Sequence, residues 1–168
     1  MPENLEQGDI GLPRVITFAR LSDIDQAEIL AHMSDERVAE HMPLVTFQWD
    51  SATIARFVES KEACWQRDGL GHWAILCDAD YVGWGGFQKE GDEWDFGLVL
   101  APAAFGLGVR IARKAIDFAK SDDRIPHVTF LLPPSRKNLG ALTKMGAAYV
   151  GDIDYEGETF RKFRLETG

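Results

Sequence analysis

The chain reads as an α+β domain of mixed α/β order, with a twisted, mostly antiparallel sheet of six to seven strands flanked by about four helices. Three observations predict it. Short apolar stretches alternate with period two, while longer ones repeat with helical spacing. Their order is one strand, two helices, three strands, a helix, a strand, a helix and two strands; helices clustered early and mid-chain imply a mixed sheet covered by helices. Neighbouring strands are joined by short turns built from Asp, Glu and Gly. At 168 residues, 45% hydrophobic and 27% charged, the chain has the composition of a folded globular protein. A domain of that size buries roughly 70% of its unfolded surface and needs no staple.

Residues 1–13 are polar, carry Gly8, Gly11 and Pro13, and read as a flexible tail before a single domain over 14–168. The alternating strand Val15–Arg20 comes first. Ser22 or Asp23 then caps a helix carrying Ile24, Ala27, Ile29, Leu30 and Met33. HMPLVTFQW, 41–49, is a loop. Asp50 or Ser51 opens the next helix, whose stripe is Ile54, Phe57, Val58 and Trp65, and Gly69 closes it. Strands His72–Cys77, Tyr81–Gln88 and Glu93–Leu100 follow as a meander. A helix runs from the Gly-Leu-Gly at 106–108 to about Lys120, and the strand His127–Leu132 stops at Pro133 and Pro134. Ser135 caps a short helix that ends near Met145 and Gly146. The last strands, Tyr149–Tyr155 and Thr159–Leu165, turn at Glu156-Gly157.

A net charge of −9 argues against a general nucleic-acid binder, which needs a clustered cationic surface, and leaves room for a cationic substrate. Cys64 and Cys77 stand in a predicted helix and strand, without a CxxC, and read as buried free thiols. His32, His41, His72 and His127 lack ligand spacing, so no metal is expected. No run approaches the ~20 apolar residues of a membrane span, and MPENLEQGD is not a signal peptide; the expected compartment is the cytoplasm. With no long uncovered apolar stripe, the expectation is a monomer or a weak dimer.

Chemistry enters at LVLAPAAFGLGVRIARKAIDF, 98–118. A helix start offers unpaired N–H groups and the positive end of the dipole, and glycines let an anion approach the backbone. Gly106 and Gly108 therefore read as a phosphate cradle, or more plainly as a tight strand-to-helix turn. Two nucleotide motifs fail: Ile111 stands where a dinucleotide fingerprint needs its third glycine, and no Gly-Lys-Ser/Thr follows. Arg110, Arg113, Lys114, Arg136 and Lys137 bring local cations, either for an anion or as a solvated helix face.

LAPAAFGLG, 100–108, resembles the Gln/Arg-x-x-Gly-x-Gly/Ala loop that follows a Leu-x-Pro strand end in the GNAT superfamily of acyl-CoA-dependent N-acetyltransferases, with Ala103 in the Gln/Arg place. SRKNLGALTKMGA, 135–147, is similar to the family's later Asn-x-x-Ser…Leu-Gly-Phe signature, and KFRLE, 162–166, to the final strand of its ribosomal-protein N-terminal branch. The resemblance implies a GNAT-like fold with a splayed central strand pair. It implies acetyl-CoA as cosubstrate, its pyrophosphate on Phe105, Gly106, Leu107, Gly108, Val109 and Arg110. Leu98 and Leu100 would pair with the pantetheine arm, while Ser135 and Asn138 reach the pantetheine or the adenosine phosphate. The Val99 N–H would be the oxyanion donor. Asp95 falls where that branch carries a Glu general base, one carbon shorter here, so that a water relay is implied; a strand carboxylate paired or facing solvent is the plain alternative. Leu142 replaces the usual acidic Tyr, leaving Ser135 or water to protonate the thiolate. Trp49, Trp84 and Trp94 are candidates for the acceptor pocket or for the core. The implied function is acetyl transfer to a primary amine, a protein N-terminus or a small amine, by direct transfer; a non-catalytic acyl-CoA-binding module is the alternative.

Overall fold

The computed structural model describes residues 14–42, 45, 47–136 and 139–168. Strand β1 (Ile16–Ala19) leads through a 3-10 turn, Leu21–Asp23, into α1 (Gln26–Met33), α2 (Glu36–Ala39) and α3 (Ser51–Asp68). The meander β2 (His72–Cys77), β3 (Asp80–Glu90) and β4 (Glu93–Leu100) follows. A second 3-10 turn, Pro102–Leu107, then winds directly into α4 (Gly108–Lys120). β5 (His127–Leu132), α5 (Gly140–Lys144), β6 (Ala148–Tyr155) and β7 (Glu158–Glu166) complete the domain. Seven strands form one sheet in the order β1-β2-β3-β4-β5-β7-β6. Every pairing is antiparallel except β4 with β5.

That parallel pair is short. It registers Trp94 with Val128, Asp95 with Thr129 and Phe96 with Phe130, and then stops, so Gly97–Leu100 and Leu131–Leu132 diverge. The splayed central pair is therefore present.

Two apolar layers sandwich the sheet. On one face, α4 sets Ala115, Ile116 and Ala119 on Trp73, Phe87, Trp94, Val128 and Phe130. On the other, Ile29 and Met33 of α1 and Ile54 and Val58 of α3 cover Ala74 and Trp84. Trp84 and Trp94 are thus core residues: their indole N–H groups donate to Met33 Sδ at 3.2 Å and to the Arg124 carbonyl at 3.0 Å. Helix α3 is fixed at both ends, by a reciprocal Asp50–Thr53 capping box and by Gly69 at φ +73°, whose N–H donates to the Trp65 carbonyl.

Three boundaries differ from the sequence expectation. Neither Ser22 nor Asp23 caps the first helix: Asp25 does, accepting from Ala27 N–H at 2.9 Å, while the Ser22 hydroxyl is drawn to Glu62 of α3. The extra helix α2 starts because Asp35 accepts from Arg37 N–H. The helix expected from Ser135 begins only at Gly140 and has no side-chain cap. Arg161 accounts for the delay, since its Nη2 binds the carbonyls of Pro134 and Arg136 at 3.1 and 2.8 Å and holds that segment as a turn. Cys77 is buried as expected, but Cys64 is only half-buried; both are free thiols. No helix among the described residues is long and apolar enough to cross a membrane.

Candidate active site

The β4 ladder decides which main-chain groups face the gap. Gly83 registers with Leu100 and Trp84 with Val99, and the Ala101 N–H donates to the Val82 carbonyl at 2.9 Å. In an antiparallel pair, hydrogen-bonded and non-hydrogen-bonded positions alternate. Val99 and Gly97 therefore aim their N–H and C=O at β3; a Cβ on Gly83 or Gly85 would in fact meet the Val99 or Gly97 carbonyl oxygen at 2.5 and 2.3 Å. Leu98 and Leu100 point theirs the opposite way, into the gap beside β5. The Val99 N–H is thus committed to the ladder and is not a donor for the gap, which corrects the oxyanion expectation. Leu98 and Leu100 stand where an extended acyl arm would add as a strand.

Beyond the gap lies a cleft of about 450 Å³, lined by Phe96–Leu100, by Phe105, Gly106, Gly108 and Val109 of the loop, and by Arg136 and Leu142. This volume falls within the roughly 300–1,000 Å³ of ligand pockets. The loop is wound more tightly than the sequence suggests. The 3-10 turn runs into α4 without a break, and the Gly108 N–H donates to the Phe105 carbonyl. A Cβ on Gly106 would meet nothing within 4 Å, so the approach to this backbone is open. Phe105 and Val109 stay 45% and 42% exposed at the mouth, apolar surface that a ligand would cover. Half-buried Leu107 packs toward Leu100 and Ile111. Arg110 does not enter the cleft: its Nη2 donates to the Arg14 carbonyl at 2.7 Å, and Arg136 is the guanidinium on the lining. Ser135 is exposed in the turn beside Arg136 and does not line the cleft; Asn138 lies outside the described residues. The cleft, the open glycine and the unpaired edge of β4 together fit an acyl-CoA.

Asp95, Gly97 and Val99 share the opposite sheet face from Trp94, Phe96 and Leu98, as the alternation predicts. Asp95 accepts from the Thr129 hydroxyl at 2.9 Å. Burial raises its carboxyl to about 7; the Thr129 bond opposes this, and neighbouring Glu90 adds to it. Glu93, two residues earlier, is held low by its bond to Lys162 Nζ at 2.6 Å and also meets His127 Nε2 at 3.2 Å. Sequence reasoning missed two residues here. His72 is 7% exposed, with Nδ1 3.0 Å from Lys61 Nζ, and Lys61 also donates to Gln88 Oε1 at 2.9 Å. Their meeting depends on β2–β3–β4 register and on the rotation of α3, neither of which a motif encodes. Among the described residues no group of three metal-ligating side chains forms.

Residues 16–146 match the model of the acetyltransferase (GNAT) domain. Solved structures agree in fold. An acetyltransferase from Agrobacterium tumefaciens strain C58 superposes with a TM-score of 0.71 at 17% identity, covering 92% of this chain and 95% of that one. A GNAT-family acetyltransferase from Bacillus anthracis gives 0.70 at 15% identity, covering 93% and 96%. Aminoglycoside acetyltransferase AAC(6')-Ib in complex with coenzyme A gives 0.72 at 12% identity, covering 92% and 95%. A search of curated proteins finds no match.

Proposed function

Since this chain belongs to the GNAT acetyltransferase family, we propose that it moves the acetyl group of acetyl-CoA directly to a primary amine, of a protein N-terminus or a small molecule. The pyrophosphate lies over Gly106 and Gly108 with Arg136 beside it, and the pantetheine runs along Leu98 and Leu100. One observation carries the reading: Asp95, accepting from the Thr129 hydroxyl, stands in the last paired registers of β4 and β5, next to the point where the gap opens, and burial there raises its carboxyl to about 7. A carboxylate poised near neutral pH is suited to take the proton of an attacking amine, directly or through a water. The amine nitrogen bonds to the thioester carbon, the carbon–sulfur pair leaves as CoA thiolate, and the thiolate takes its proton from water, since Leu142 offers none.

Two measurements test this. At acetyl-CoA 100 times its dissociation constant, stabilisation of about 2.7 kcal/mol should raise the melting temperature. Thiol release should then be followed across small amines and N-terminal peptides, including those of ribosomal proteins, the acceptors suggested by KFRLE at 162–166. No thermal shift with millimolar acetyl-CoA removes the cosubstrate assignment. A shift without turnover on any acceptor would leave a binding module.

A further inference from the structure

The ladder takes the Val99 N–H away from the reaction, and a different donor stands beside Gly97, two residues earlier on β4. His72 registers with Gly86, and Gly86 with Gly97. The imidazole reaches across β3 to the Gly97 backbone: a Cβ on Gly97 would stand in van der Waals contact, 3.6 Å from both Cε1 and Nε2 of His72. Gly97 itself lines the cleft.

The state of the ring follows from its other nitrogen. An ammonium carries donors only, so Lys61 must donate to Nδ1, and the ring proton then resides on Nε2, on the Gly97 side. Burial and the Lys61 charge keep the imidazole neutral, well below its ordinary titration range. Burial also lowers Lys61, to about 8, with Cys64 and Glu90 opposing. A neutral ring with its proton on Nε2 is a hydrogen-bond donor and not a base. Asp95 lies two residues from Gly97 on the same strand face, about 7 Å along it. A thioester carbonyl lying over Gly97, with its attacking amine on the Asp95 side, would be within reach of Nε2.

We propose that His72 donates its Nε2–H to the carbonyl oxygen of the acetyl thioester, with Lys61 as the positioning residue that fixes the tautomer. The proposal rests on the acetyl-CoA reading above. As the amine nitrogen bonds to the carbonyl carbon, the π pair moves onto oxygen and the Nε2–H bond strengthens without proton transfer. The pair returns to re-form C=O when the carbon–sulfur bond breaks, and the amine proton goes to Asp95.

Isotope-edited infrared spectroscopy of acetyl-CoA labelled with carbon-13 at the carbonyl tests this without an acceptor. The bound thioester band of the wild-type protein should lie at lower frequency than that of His72→Phe. His72→Gln, which keeps an N–H near the same place, should retain the lowering, and Lys61→Met should lose part of it. In turnover, His72→Phe should lower kcat roughly 100-fold or more, the cost of removing one such donor, with KM for acetyl-CoA within a few-fold. Equal bands in wild type and His72→Phe, both with acetyl-CoA bound, overturn the proposal and leave the acetyl-CoA reading intact. Absence of acetyl-CoA binding to the wild-type protein overturns both. If His72→Phe does not fold, His72→Gln and Lys61→Met decide: the predicted ordering of their bands supports the donor role, and a fully lost lowering in a folded, acetyl-CoA-bound His72→Gln refutes it.

Discussion

Replacing Asp95 by Asn should make the protein more stable and less active, and the two effects should follow the same ionisation. The carboxyl is raised by burial from an ordinary 3.8 to about 7. The fold therefore binds this proton more tightly than the unfolded chain does, and Asp95 costs stability as pH rises through that window. Below about 4 both states are protonated and nothing is lost; above about 7 the full cost is present. Three units at 1.36 kcal/mol each set an upper limit of about 4 kcal/mol, and the partial exposure of the side chain reduces the expectation to about 2. Asn keeps the oxygen that accepts from Thr129, so this hydrogen bond survives the substitution. Urea unfolding of both proteins at pH 4, 6 and 8 measures the difference directly. The stabilities should coincide at pH 4 and separate by pH 8, with the variant higher. In parallel, kcat should fall roughly 100-fold or more at neutral pH, the usual contribution of a general base, and the gap should shrink as the amine arrives already neutral at high pH. A variant no more stable at pH 8 than the wild type would show that Asp95 is not desolvated as argued, and an unchanged kcat would return it to a structural role.

Gly106→Val should abolish the acetyl-CoA thermal shift while changing the apo melting temperature far less, because a Cβ there meets no protein atom within 4 Å and points into the ligand's approach. Calorimetric binding beside the melting curve checks both halves. Phe87→Ala, at a fully buried ring packed by Trp73, Phe96 and Phe118, should cost about 3–5 kcal/mol in urea unfolding. Asp50→Ala removes the capping box of α3 and should cost about 0.5–2 kcal/mol, with Asp50→Asn losing less. In light scattering the protein should behave as a monomer or a weak dimer; a tight dimer at micromolar concentration would contradict that expectation.

The strands were legible in the sequence because alternation reports a strand and its two faces at once. The Asp95/Gly97/Val99 and Trp94/Phe96/Leu98 division of β4 needed nothing more. The helix ends at Asp50 and Gly69 were equally readable, since a capping residue and a left-handed glycine act within one turn. Where a distant residue intervened, reading failed. Glu62 of α3 takes the Ser22 hydroxyl, and Arg161 of β7 takes the Arg136 carbonyl that a helix at Ser135 would have used. Both partners lie tens of residues away in sequence, and no local pattern announces them. Arg110 likewise sits at helical spacing for an anion but spends its guanidinium on Arg14.

The active-site chemistry divides in the same way. Asp95 was visible as a residue type on a strand beside a glycine, yet its usefulness comes from burial, which only the packed sheet supplies. Burial pushes two groups on this face of the sheet in opposite directions: the Asp95 carboxyl is raised into the neutral range, and His72 is lowered out of it. The roles proposed for them separate accordingly, a base that can accept a proton at pH 7 and a ring that donates a hydrogen bond. Gly97 joins them. A side chain longer than a methyl there would stand against the His72 ring, whose Cε1 and Nε2 lie 3.6 Å from the Cβ position. The positions proposed to carry the chemistry are therefore brought together by register across three strands, with a glycine at the crossing, and not by spacing along any one of them.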